Sequence, residues 1–309
     1  MVSMKKVLVT GGTGLLGANL ILDWQERFEL SSVQLEGRMN FKIEKQANFD
    51  LGNKEEVMKF VGEIKPDAVV HTAALVNVDF CEGHRPEAFA ANAIATENVA
   101  EACSKEGAKL VFVSTDSVFD GSKGNYSEED KTNPPNVYAE SKLEAEKLAL
   151  EKNSNTAVVR TSIYGWNAQP KESLSEWIYN SLKEGRKLNL FEDVFFTPIL
   201  VNDFGEAVAE IIENDFKGIL HVAGGEKVSK LGFGEKVADV FGFGNENIFE
   251  GSIDDSNLVA KRPKDASLNV EKAGKVLKMK LPNVKEGLER KKKLLENGFV
   301  EKLKGGFKQ

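Results

Sequence analysis

Tyr138 and Lys142, in the run Val-Tyr-Ala-Glu-Ser-Lys, are the pair in this chain best suited to moving a proton. Their i, i+4 spacing puts them on one face of a helix, one turn apart. A phenol ionises near pH 10 (about 10 in the reference state), too high for easy proton exchange at neutrality. An ammonium beside it favours the phenolate and lowers that value. A tyrosine tuned this way can protonate a carbonyl oxygen while hydride reaches the carbon. Thr115, at the end of an apolar run, can hydrogen-bond the same oxygen. A tyrosine and lysine at this spacing recur on many surfaces, so the pair gains meaning only from the residues around it.

The second chemical signature is Lys5 to Gly17, KKVLVTGGTGLLG. An apolar run leads into Gly11, Gly12, Gly14 and Gly17, and an apolar helical pattern follows through Leu20 and Ile21. Strand, glycine turn and helix in that order make a phosphate-binding turn. Glycines let the chain turn sharply and let a pyrophosphate approach main-chain N–H groups. The helix then points its N-terminal donors at the anion. A turn of this kind belongs after the first strand of a doubly wound sheet. Ser32 to Glu36 reads as the next strand. Glu36 at its end suits a ribose hydroxyl, whereas Arg38 suits a 2′-phosphate.

The elements that must carry these residues alternate along the chain. A helix is expected from about Lys54 to Ile64, a strand from Ala68 to His71 and a helix over Ala88 to Cys103 opened by Pro86. Asn92 lies within that helix, placed to brace a site. A strand from Lys109 to Ser114 ends in hydroxyls, where ligands bind in open α/β sheets. Asn136 is the expected N-cap of a helix running to about Lys152. A strand over Ala157 to Thr161 follows. The alternation predicts a parallel sheet with helices on both faces. Beyond Gly165 the pattern loosens: a helix over Leu174 to Gly185, a short strand over Lys187 to Phe191, and a turn at Phe195 to Pro198. A helix over Asp203 to Glu213, a strand over Gly218 to Ala223 and a helix over Leu231 to Phe241 follow. Terminal helices run from about Val270.

Composition narrows the classes. The chain has 309 residues, 41% hydrophobic, which suits one large soluble domain with an appendage or two domains. A net charge of −7 argues against general binding to nucleic acid or membranes. No apolar run is long enough to span a bilayer, and a strand at the very start leaves no room for a signal peptide. Cys81 and Cys103 fit neither a disulfide framework nor a zinc motif and read as reduced thiols of a cytoplasmic protein.

The ordered set of Gly11, Gly14 and Gly17, Ser114-Thr115, and Tyr138 with Lys142 resembles the extended short-chain dehydrogenase/reductase superfamily. STDSVFDG (Ser114 to Gly121) and NVYAESKLEAEK (Asn136 to Lys147) are similar to the dTDP-4-dehydrorhamnose reductases within it. So are HTAALVNVD (His71 to Asp79), RTSIYG (Arg160 to Gly165), FTPI (Phe196 to Ile199) and KRPKDASL (Lys261 to Leu268). The resemblance implies an α/β fold: a Rossmann-type doubly wound parallel sheet over residues 1–165 plus about 195–223. A smaller α/β substrate-binding domain would cover about 166–194 plus 224–309. It implies an NAD(P)H-dependent reductase of a 4-keto nucleotide-sugar, with Thr115, Tyr138 and Lys142 catalytic and no metal. Gly11, Thr13, Gly14, Leu15, Leu16, Arg38, Asp50, Leu51, Ala73, Ala74 and Ser114 would hold the cofactor together with Tyr138 and Lys142. Val76, Asn77, Ser117, Tyr138, Thr197 and Arg262 would meet the sugar nucleotide. Arg38 gives NADP(H) a slight preference and leaves NAD(H) open, and a homodimer is allowed. Two positions depart from the reductase pattern near the sugar: Ser117 replaces a usual tyrosine, and Ile163 a tryptophan found in some members. Two alternatives follow from the same resemblance: a 4-epimerase, or a non-catalytic subunit like the β subunit of methionine adenosyltransferase. A dehydratase lacks its acidic pair, because Asp116 is followed by Ser117.

Overall fold

The computed structural model describes residues 4–308; positions 1–3 and 309 of the expected domain bounds lie outside the described residues. Seven parallel strands form the central sheet: β1 (Lys6–Thr10), β2 (Glu29–Gln34), β3 (Lys45–Asn48), β4 (Ala68–His71), β5 (Lys109–Val113), β6 (Thr156–Arg160) and β7 (Gly218–His221). Their spatial order is β7-β6-β5-β4-β1-β2-β3. Strand β1 is central because its four residues after Lys6 are buried, which suits a strand covered on both faces. Val9 faces Ser32 of β2 on one side and Val70 of β4 on the other. The order reverses direction beside β1, and the crevice there is where such sheets bind ligands.

Alternation along the strands splits the core. Val7, Val9, Val70, Val111 and Val159 pack on one face with α1 (Leu15–Asp23) and a later helix. Leu8, Val69, Leu110, Phe112 and Val158 pack on the other with α2 (Lys54–Ile64) and the two helices that bear the site. Each such aliphatic side chain, fully buried, contributes about 1.5–3 kcal/mol. The helices begin where side chains satisfy their free N–H groups. Asn53 caps α2 by accepting from Glu56 N, and Asn136 caps α6 (Val137–Lys152) by accepting from Ala139 N.

The expected helix over Ala88 to Cys103 is longer and interrupted. After α3 (Val78–Gly83), α4 (Arg85–Phe89) carries Pro86 in its first turn. A π-helical turn, Ala90–Ile94, then leads into α5 (Ala95–Glu106). The extra residue turns Asn92 inward, where its amide does work a regular helix would not allow. Strand β2 ends at Gln34, so Glu36 lies in the loop beyond it.

After β6 the chain builds α7 (Leu174–Lys183), then α8 (Val201–Glu213), which packs on α1, and then β7 at the sheet edge. The anticipated turn at Phe195 contains a two-residue strand, Phe195–Phe196, antiparallel to Val228–Ser229. Leu188–Phe191 pairs in parallel with Ile248–Gly251. Helices α9 (Lys230–Phe241), α10 (Glu271–Val276), α11 (Val284–Glu296) and α12 (Phe299–Gly306) complete the chain. Phe307–Lys308 then pairs antiparallel with Arg38–Met39. Among the described residues no helix is long and apolar enough to cross a membrane.

Candidate active site

A cleft of about 740 Å³ opens at the carboxyl ends of β1, β2, β4, β5 and β6. Its first wall is the glycine turn. Gly11 has φ +69° and donates its N–H to Val33 O at 2.7 Å. A Cβ on Gly11 would lie 2.9 Å from the Ala73 backbone, so glycine is needed for β1 and β4 to meet here. A Cβ on Gly17 would lie 2.2 Å from Gly11 O. Gly14 is different: it begins α1 with no side-chain cap, and its missing Cβ would only touch Gly11 O at 3.3 Å. Gly11 and Gly12 donate to Val33 O and Gly14 to Gly11 O, so the N–H groups offered to an anion are those of the uncapped first turn of α1. Thr13, Leu15 and Leu16 line the same wall. The Thr13 hydroxyl donates to Glu36 O at 3.3 Å, and Gln169 Nε2 donates to Thr13 O at 3.0 Å.

Asp50, Leu51, Ala73, Ala74 and Val76 line the cleft as expected. The Asp50 carboxylate accepts from Gly52 N at 2.8 Å. Glu36 also lines it. Arg38 does not: it is exposed, and its backbone pairs with Lys308.

Ser114, Thr115 and Asp116 leave the end of β5, and Tyr138 and Lys142 face them from α6. Thr115 Oγ1 accepts from Ser117 N at 3.1 Å and donates to Asp116 Oδ1 at 3.2 Å. Burial raises the pKa of the Tyr138 phenol, opposed by the neighbouring Thr115 hydroxyl. The lowering expected from Lys142 is overturned, because that side chain points elsewhere. Lys142 Nζ donates to Val113 O at 2.8 Å and sits 4.1 Å from the centre of the Phe112 ring. Burial pushes Lys142 down to about 7, against the opposing charge of Glu146. Burial likewise raises Asp116, opposed first by Lys230.

Asn92 in the π-helical turn holds this arrangement together. It accepts from Leu75 N at 2.8 Å and donates to Leu75 O at 3.2 Å and to Ser141 Oγ at 2.9 Å. It thus ties the loop after β4 to α6, between Tyr138 and Lys142.

Four residues expected at the sugar lie outside the cleft lining. Asn77 caps α3 by accepting from Phe80 N at 3.1 Å. Ser117 donates to Asp116 Oδ1 at 3.2 Å. Thr197 is buried and accepts from Leu268 N at 3.1 Å. Arg262 donates to Asp79 Oδ1 at 3.0 Å and to Ala260 O at 2.8 Å. Ile163, the second departure from the reductase pattern, does line it. Sequence reasoning missed Gln169 and Ser162, which come from loops without a local pattern. It also missed Glu146, whose signal was available: it stands four residues after Lys142 on the same helix.

The profile of the RmlD substrate binding domain matches residues 4–296. Methionine adenosyltransferase 2 subunit beta from Bos taurus is 31% identical over 275 residues, covering 86% of this chain and 80% of that protein. A dTDP-4-dehydrorhamnose reductase from Sinorhizobium fredii is 31% identical over 258 residues, covering 79% of this chain and 85% of the relative. The crystal structure of dTDP-4-dehydrorhamnose reductase from Bacillus anthracis, in complex with NADP, superposes with a TM-score of 0.84 at 28% identity. It covers 93% of this chain and 98% of that one.

Proposed function

The chain belongs to the RmlD substrate-binding-domain family, and from that membership and the cleft we propose an NAD(P)H-dependent oxidoreductase that reduces a 4-keto nucleotide-sugar. The substrate is dTDP-4-dehydrorhamnose or a close analogue. One observation carries the reading: the uncapped glycine turn and the Thr115, Tyr138 and Lys142 group line one cleft. The uncapped N–H groups at the start of α1 and the lack of a side chain at Gly14 fit a pyrophosphate. Gly11, Gly14 and the first turn of α1 would hold it. Asp50 and Leu51 would meet the adenine, and Ala73, Ala74 and Ser114 would line the path to the nicotinamide.

When bound, the dinucleotide supplies the hydride. Tyr138 donates the proton to the sugar oxygen as negative charge develops there. Thr115 hydrogen-bonds the same oxygen and orients the phenol. Lys142, held by Val113 O, would meet the ribose hydroxyls. Val76 lies toward the sugar. We assign residues 1–165 plus about 195–223 to the cofactor and about 166–194 plus 224–309 to the sugar. A cytoplasmic location suits the two buried free thiols, Cys81 and Cys103.

Cofactor choice is proposed to follow Glu36, which lines the cleft, rather than Arg38, which does not. Arg38→Ala should leave the NADPH/NADH affinity ratio near the wild-type value, and Glu36→Gln should move it toward NADPH by removing a charge that repels the 2′-phosphate. A large fall in NADPH affinity for Arg38→Ala alone would restore the arginine to the site.

A second reading, a non-catalytic regulatory subunit, is favoured by the likeness to methionine adenosyltransferase 2 subunit beta. One experiment separates the readings. Follow NADH and NADPH absorbance while screening 4-keto nucleotide-sugars. Stoichiometric oxidation supports the reductase. Sugar conversion without net oxidation supports the epimerase. Cofactor binding without turnover on any sugar supports the subunit.

A further inference from the structure

Behind Lys142 lies a buried ion pair that the proposed reaction does not use. Glu146 stands one turn beyond Lys142 on α6, so Tyr138, Lys142 and Glu146 share a face at successive i+4 positions. Arg160, at the end of β6, grips the Glu146 carboxylate with both arms: Nε to Oε1 at 2.9 Å and Nη2 to Oε2 at 2.7 Å. Both side chains are 3% exposed. Ser114 Oγ donates to the same Oε1 at 2.5 Å. The guanidinium lies 5.2 Å from the Phe119 ring centre, and its Nη1 lies 3.5 Å from His221 Nε2. Burying two charges is costly, and an apolar pair of similar volume would often be as stable. A fork held this firmly next to Lys142 calls for a reason beyond packing.

We propose that Glu146 is a positioning residue for the reduction: clamped by Arg160, it fixes Ser114 at the rim of the cleft and keeps Lys142 protonated for the cofactor ribose. The inference rests on the reading that the cleft binds a nicotinamide dinucleotide. His71 from β4 and Glu146 from α6 are the titratable groups whose charge couples to Lys142; Cys81 and Asp116 act on Tyr138, and Arg160 on Glu146. His71 is neutral, because burial pushes it down to about 3. Glu146 is the group whose charge holds the Lys142 ammonium up against desolvation. Arg160 fixes the direction of that carboxylate and offsets part of its field.

Glu146→Gln keeps the shape, removes the negative charge and leaves Arg160, so the Lys142 midpoint falls. Arg160→Gln would leave a buried carboxylate that takes up a proton itself, so the test rests on Glu146. The readout is proton uptake on NADH binding, measured by calorimetry in buffers of different ionisation enthalpy from pH 6 to 9. NADH is the probe because it lacks the titrating 2′-phosphate. The expected result is an uptake maximum moved to lower pH by Glu146→Gln, by about one pH unit. Glu146→Asp, which keeps the charge, should stay closer to wild type than Glu146→Gln does.

A merely structural pair would lower affinity at every pH and leave the maximum in place. Folded variants with an unmoved maximum would overturn the proposal. If Glu146→Gln does not fold, the double variant Glu146→Leu, Arg160→Met decides it: loss of uptake near neutral pH supports the proposal, and a wild-type curve overturns it. Wild-type protein that binds no NADH would instead sink the cofactor reading itself.

Discussion

Replacing Tyr138 by Phe removes the phenolic oxygen and keeps the ring, so it tests the cleft's chemistry with little change of shape. General acid catalysis contributes about 10²–10⁴-fold, and turnover should fall within that range. Cofactor affinity should fall far less, because the glycine turn makes the pyrophosphate contacts. Wild-type turnover in Tyr138→Phe, with chemistry rate-limiting, would remove Tyr138 from the mechanism. Thr115→Val should lose activity with cofactor affinity nearly intact, and Lys142→Met should lose both. The sequence showed which residues meet, because their spacing on one helix and at one strand end is local. It misjudged how they are tuned. Burial of the phenol, and the bond from Lys142 to Val113 O, depend on neighbours far along the chain. The same blindness covers Arg262 and Thr197, whose motif matches are real but whose side chains serve Asp79 and Leu268 N.

At the scale of the element, the glycines of one turn should separate into two kinds. Gly14→Val puts methyl groups where the pyrophosphate would lie, and its Cβ meets Gly11 O at 3.3 Å, a milder contact than at Gly17 that a small backbone shift relieves. It should unfold near the wild-type urea midpoint and lose most of its NADH and NADPH affinity. Gly17→Ala drives a Cβ into Gly11 O and should destabilise the fold by about 1–3 kcal/mol, as overpacking does. Equal loss of stability in both would mean that the interval serves only the turn. The π-helical turn makes a further prediction. Asn92→Leu leaves Leu75 N without its acceptor and should cost about 1–3 kcal/mol in urea denaturation. The regular elements were legible because caps and apolar periods are local signals: α2 and α6 begin where Asn53 and Asn136 stand. The π-helical turn has no cap to mark it, and the phase shift of about 100° from one inserted residue shows only against long apolar runs on both sides. The pairing of Phe195–Phe196 with Val228–Ser229 was hidden for another reason: its partners are far apart in sequence.

Across the whole molecule, buried lysines should govern how stability changes with pH. Lys142 and Lys291, both almost fully enclosed, are pushed down to about 7 by burial, and Lys230 to about 8. Lys291 sits 3.6 Å from the centre of the Trp166 ring, with Tyr179 and Phe241 around it, and donates to Ser175 O at 3.4 Å. It joins α11 to the segment before α7, a contact no local pattern foretold. In the unfolded chain these lysines titrate near 10.4 (about 10.4 in model peptides), so above pH 7 the unfolded state binds more protons. Stability must then rise with pH, by at most about 1.4 kcal/mol per pH unit for each lysine. The rise should flatten above about pH 8.5, where unfolded cysteines begin to ionise. Cys103, and later Tyr138 and Tyr164, are raised by burial and oppose the trend there. Urea denaturation at intervals between pH 7 and 8.5 measures the slope. Lys291→Met keeps the apolar stem within the aromatic cluster and should remove about two-fifths of it, with Lys142 and Lys230 supplying the rest. A wild-type protein whose stability is flat over this window, or a Lys291→Met variant with an unchanged slope, would show that the buried ammonium groups remain charged in the folded state.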